Sequence, residues 1–151
     1  MMGNISILMV IFPFLFFIAE ASIMVDLSKI SSNEYFSDMN DTEIDKYCNA
    51  HHGGRLEQDF CAKRDFEKSD QKLNKTYKRL INSCKNDKKL LSKAKKSQQA
   101  WLKYRELAGD DAYTIIGNGT MKNQYYFASK EMLTNEREEF IRGYYFDDWT
   151  R

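Results

Sequence analysis

Two spacings of apolar residues divide the chain. Ile5 to Ile18 is an almost unbroken apolar run. From residue 55 onward, apolar side chains recur at intervals of three, four and seven, which places them along one face of an α-helix. The first long helix is expected over Arg55–Lys85, with Phe66, Leu73, Tyr77, Leu80 and Cys84 inward. Asn86-Asp87 supplies a turn and an N-cap. A second helix is expected over Lys88–Ala108, turning Leu91, Ala94, Trp101, Leu102 and Ala108 inward and stopped by Gly109-Asp110-Asp111. After the break Gly117-Asn118-Gly119-Thr120, with Thr120 as N-cap, a third is expected over Met121–Arg142. It turns Tyr126, Leu133, Phe140 and Ile141 inward, with Gly143 as C-cap. A short helix from Thr42 to about Tyr47 precedes them, separated by the break His51-His52-Gly53-Gly54. The fold class is therefore all-α: a small antiparallel bundle of about three long helices plus a short N-terminal one, joined by short turns.

The apolar run has a different meaning. Its 14 residues are short for a membrane span, which needs about 20. It ends in Ala19-Glu20-Ala21, a small-x-small cleavage pattern, so residues 1–21 read as a signal peptide cut after Ala21. The alternative is a retained anchor, favoured by an n-region without Lys or Arg. The remaining organisation is a polar lead-in over 22–47 and one helical domain over 48–151. The product is expected to be exported, periplasmic or extracellular, with no stable membrane span after cleavage.

Composition narrows the picture further. The chain of 151 residues carries 23 Lys+Arg and 22 Asp+Glu, a formal charge of +1, so no overall field points to nucleic acid. Its single proline, Pro13, lies in the signal segment, and a proline-free remainder rich in Lys and Glu suits helices. Six lysines between Lys85 and Lys96 have no interleaved aromatic and read as a solvated face that also suits an anionic surface. Of the three cysteines, Cys48 and Cys61 are close enough to close a short loop; Cys84 is then free or pairs between molecules, and other pairings stay open.

Each long helix also carries one charge on its apolar stripe: Asp70, Arg105 and Arg137. Buried charges must pair. The simplest arrangement sets Asp70 between the two guanidinium groups, with Asn74 one turn away completing the network. A structural clamp is the expected role, because a catalytic carboxylate needs a second base or nucleophile and none stands out. Zinc on Cys48, His51, His52 and Cys61 competes with the disulfide, and Asp38-x-Asn40-x-Thr42 lacks the glycine and terminal Glu of a calcium loop. No phosphate loop, nucleotide fingerprint or hydrolase elbow occurs. No catalytic residue, metal or cofactor is expected.

Cys61-Ala62, Asp70-x-x-Leu73-Asn74-x-x-Tyr77-Lys78, Gln98-x-x-Trp101-Leu102-x-Tyr104-Arg105, Gly119-Thr120 and Leu133-Thr134-x-x-Arg137 follow one another in order. Over residues 48 to about 142 this set resembles the bacterial lysozyme inhibitor LprI N-terminal-like domain family. The resemblance implies a small exported helical domain that is not an enzyme, with inhibition of lysozyme reported for the founding type. Relatives carry a further cysteine pair where this chain has Ala108-Gly109-Asp110 and Tyr126-Phe127-Ala128, which reads as one disulfide dropped as a unit. The expected partner is a protein, lysozyme or another peptidoglycan hydrolase. An immunity protein against a secreted toxin and an envelope adaptor are the alternatives. A cleft lined by carboxylates calls for a protruding loop of donors, and Asn118, Gly119 and Thr120 with flanking Tyr113 and Lys122 are the candidate binding residues.

Overall fold

A computed structural model describes residues 36–50 and 53–146. The segment expected to be a signal peptide, the lead-in up to residue 35, and His51 and His52 lie outside the described residues. Four helices follow: α1 (Asp41–Asn49), α2 (Arg55–Ser83), α3 (Lys88–Ile115) and α4 (Lys122–Tyr145). No strand occurs among the described residues, and none of their helices is long and apolar enough to cross a membrane.

Local chemistry sets the helix starts. Asn40 accepts from the Thr42 and Glu43 N–H groups while its own N–H donates to Glu43 Oε2 at 2.9 Å, a capping box that begins α1. Asp87 accepts from the Leu90 N–H at 2.9 Å and begins α3. Three expected boundaries are corrected. Helix α3 does not stop at Gly109-Asp110-Asp111 but runs on to Ile115. A Cβ on Gly109 would sit 3.0 Å from the side chains of Lys130 and Tyr126, so this glycine serves close approach of α4, and the turn falls instead at Gly117, whose φ of 59° is left-handed. Thr120 does not cap α4, which starts after Met121 without a side-chain cap. Gly143 is buried inside α4, whose C-cap is Phe146.

The long helices run up, down and up. Asp59 meets Asn123 and Gln124 near the starts of α2 and α4, and Thr76 meets Glu138 near their ends, so these two are parallel. Helix α3 is antiparallel to α4, with Glu106 opposite Lys130 and Gln98 opposite Arg137. Most of the packing runs through α4, which lies against both partners. The apolar core sits toward the α2–α3 turn, where Leu73, Leu80, Cys84, Ala94 and Ile141 are buried, with Tyr77, Leu91 and Trp101 packed around them. Each large aliphatic there contributes roughly 1.5–3 kcal/mol. Two inward expectations fail: Leu102 is exposed, and so is Phe140 at 51%. The buried face of α4 keeps Leu133 and Ile141 as expected but adds Phe127 and the polar Lys130, Thr134 and Glu138, so apolar spacing finds only part of it.

Helix α1 is stitched to the first half of α2. Phe36 stacks on Phe60 with ring centroids 4.4 Å apart and meets Tyr47 edge-on. Arg64 bonds Asp41 and Asp45, and Lys68 also bonds Asp45. The Lys68 contact, then Arg64, holds the Asp45 carboxyl below its ordinary range. Cys48 and Cys61 are joined by a disulfide with Cα atoms 5.4 Å apart, which occupies both sulfurs proposed above as zinc ligands. Cys84 is a free thiol, buried in the core.

Candidate functional site

The middle of the bundle is built from charge. Arg105 Nη1 donates to Asp70 Oδ1 at 2.5 Å and to Thr134 Oγ1 at 3.1 Å. Asn74 donates to the other Asp70 oxygen at 2.8 Å. Lys130 donates to Glu106 at 2.7 Å, and Arg105 Nε lies 3.5 Å from the same carboxylate, near enough to pair but without a hydrogen bond. Two cations thus face two anions. The faces of aromatic rings complete the cage: Arg105 lies over Trp101 and Phe66, Lys130 over Phe66 and Tyr126. Both oxygens of Asp70 are engaged, so it is not a free base. The network ties α2, α3 and α4 in register.

Arg137 does not join Asp70. Its Nε donates to Gln98 Oε1 at 3.1 Å and its Nη2 to Ser97 Oγ at 3.0 Å. The arrangement with Asp70 between two arginines is therefore corrected: Thr134, one turn before Arg137 on α4, is the residue that meets Arg105. Burial lowers the Arg137 pKa. Beside it, Glu138 accepts from Thr76 at 2.9 Å and pairs with Lys72 at 3.0 Å. Burial opposes its charge, but the bonds from Lys72 and Thr76 prevail and its pKa falls below the ordinary value.

The α3–α4 turn stands at the other end, on the side of α1. Gly117, Asn118, Gly119 and Thr120 are all exposed, between Ile115 at 81% exposure and Met121. The turn is held by Gly117 N–H to the Thr114 carbonyl at 2.9 Å and Gly119 N–H to the Ile116 carbonyl at 3.0 Å. A Cβ on Gly119 would strike the Ile116 side chain at 2.6 Å. Tyr113 and Lys122 meet across its base, the ammonium 5.1 Å from the ring centroid. All five candidate binding residues thus fall at one end of the bundle. Next to them opens a cleft of about 370 Å³ whose lining includes the disulfide, Met121, Gln124, Asp65 and Glu131. Burial, then the charge of Asp65, raises the Glu131 pKa. Asp59, 1% exposed, lies beneath it, its oxygens held by Asn123 and Gln124 amides at 3.0 and 3.2 Å.

Sequence reasoning missed Asp59, Lys130, Glu106, Thr134 and Glu138. Thr134 belongs to the Leu133-Thr134-x-x-Arg137 motif and was available there; Lys130 and Glu138 sit one turn either side of it. Asp59 and Glu106 carry no periodic signal.

A family model described as lysozyme inhibitor LprI matches residues 48–140, more than half of the chain. No curated protein matches, and no solved structure matches.

Proposed function

Because the chain belongs to the lysozyme inhibitor LprI family, we propose that it is an exported, non-enzymatic protein that binds lysozyme or a related peptidoglycan hydrolase and occludes its cleft. The apolar run Ile5–Ile18, cleaved after Ala21, delivers it to the periplasm or beyond. The contact is made by the turn Gly117–Thr120 with Tyr113 and Lys122. The observation that supports this reading is the turn itself, exposed yet fixed by its own backbone bonds, so little freedom is lost on docking. Glycoside hydrolases use two carboxylates flanking the scissile bond; the Asn118 amide, the Thr120 hydroxyl and the Lys122 ammonium are donors suited to them.

The test is inhibition of lysozyme and of envelope hydrolases acting on peptidoglycan. Wild type is expected to inhibit at stoichiometric ratios. Asn118→Asp combined with Lys122→Glu sets like charge against the cleft and is expected to weaken inhibition at least about tenfold with an unchanged melt. Unaltered inhibition by that variant rejects the turn as the contact. Absence of inhibition of any hydrolase by wild type rejects the function.

A further inference from the structure

The end of the bundle opposite that turn carries a charge pattern that inhibition does not use. Between Lys72 and Lys96 there are ten Lys or Arg and one acid, Asp87. This segment forms the second half of α2, the α2–α3 turn and the start of α3. Lys72 pairs with Glu138, and Arg79 lies over the Phe146 ring at 4.0 Å. The other eight are exposed and make no ion pair among the described residues. Helix α4 adds Glu136 and Glu139 against Arg137 and Arg142 at this end, which leaves the excess almost intact.

Apolar groups stand beside these cations. Phe140 and Tyr144 stack one turn apart on α4, with centroids 5.3 Å apart and planes 9° from parallel, both about half exposed. Arg137 lies over Phe140 and bonds Ser97 of α3. That bond fixes the register: Lys93 and Lys89 follow Ser97 along the same face of α3 toward the turn, as Phe140 and Tyr144 follow Arg137 along α4. Leu90, also exposed, continues this end.

We infer that this lysine-rich end, with Phe140 and Tyr144, is a docking face for an anionic phospholipid surface. Clustered lysines gain attraction from a negative headgroup layer, and half-exposed aromatic rings suit the boundary between headgroup and acyl chain. A single-stranded nucleic acid asks for a groove that tracks its backbone with bases stacked along it. Here the cations lie at exposed positions along two helices and the turn between them, and the clefts beside α1 and the disulfide lie at the opposite end. Helix α3, with 28 residues, spans about 42 Å, so a molecule seated on its lysines holds the Gly117–Thr120 turn well away from the surface. The inference stands independently of the inhibitory reading.

The full chain is tested by co-sedimentation with vesicles of phosphatidylglycerol and phosphatidylcholine (3:7) and of phosphatidylcholine alone. The neutral vesicles measure whatever the N-terminal apolar run contributes. Binding is expected to be on the order of a hundredfold tighter to the anionic vesicles at low salt and to fall steeply with added salt. Lys88→Gln, Lys89→Gln, Lys93→Gln and Lys96→Gln together, all at exposed positions and checked by circular dichroism, are expected to remove most of that preference. Phe140→Ser with Tyr144→Ser is expected to weaken anionic binding several-fold while leaving its salt dependence unchanged. Equal binding to both vesicles, or a quadruple variant that binds like wild type, overturns the inference. So does binding to a soluble polyanion such as polyphosphate with none to vesicles, which assigns the face to a polymer instead.

Discussion

Helix α2 buries one face along its whole length but changes chemistry halfway. From Leu73 to Cys84 the buried residues are Leu73, Leu80 and the Cys84 thiol, closed by Ile141 of α4 at 0% exposure, with Thr76 at the edge. From Asp59 to Asp70 they include Asp59, Ser69 and Asp70, facing Asn123, Gln124 and the Arg105–Lys130 cage. The apolar half needs only volume and shape. The charged half needs each donor matched to an acceptor, and it is in this half that α1, the disulfide and the ion pairs of Arg64 are attached. A bundle whose interior is partly polar gains register from pairing and part of its cohesion from covalent closure.

Substitutions can separate the two halves. The largest loss is expected on the apolar side: Ile141→Ala, at a fully enclosed position, should lower stability by about 4 kcal/mol in denaturant melts. Next comes the closure of the charged half. Cys61→Ser opens a loop with a sequence separation of 13 and should cost about 3 kcal/mol, with reduction of wild type giving the same loss. A negligible effect would mean that Phe36, Phe60 and the Arg64 pairs hold α1 alone. Third is Asp70→Ala. Removing one partner of a fully buried pair typically costs about 3–5 kcal/mol, but the Asp70 side chain is 31% exposed and Glu106 remains near Arg105, so about 2 kcal/mol is expected. A loss equal to that of Ile141→Ala would make the charged layer as decisive as the hydrocarbon one; a loss below about 0.5 kcal/mol would show it to be dispensable.

The same division governs how much was legible beforehand. Leu73, Leu80, Ala94 and Ile141 lie where 3.6-residue spacing places them, and the helix count follows from them. Asp70 and Arg105 were visible because a charge on an apolar stripe is conspicuous. Their partners Thr134, Lys130 and Glu106 were not, since a pairing between helices depends on a rotation that no single helix encodes. Phe140 departs from its expected place for the same reason: with Lys130, Thr134 and Glu138 turned inward, its ring is among the apolar groups left outside. Gly109 suggests a stop because close approach of two helices and helix termination leave the same residue in the sequence.

The smallest expected effect lies where the halves meet. Glu138 is buried at the α2–α4 contact and accepts from Thr76 while pairing with Lys72, which is 63% exposed. An exposed cation in a pair usually limits it to below about 1 kcal/mol, so Glu138→Gln, which keeps the shape and the bond to Thr76, should lower stability by about 0.5 kcal/mol near neutral pH. The pH dependence gives the sharper reading. The carboxyl pKa is held below the ordinary 4.5 in the fold, so the unfolded chain takes up this proton first as pH falls. Its contribution is then complete above the unfolded value and declines as pH drops through the folded one. The stability gap between wild type and Glu138→Gln should therefore be constant from neutral pH to about 5 and close below it. A gap that widens on acidification would mean that burial, not Lys72 and Thr76, sets the charge state of Glu138, and that the charged half of the interior extends no further than the Arg105 cage.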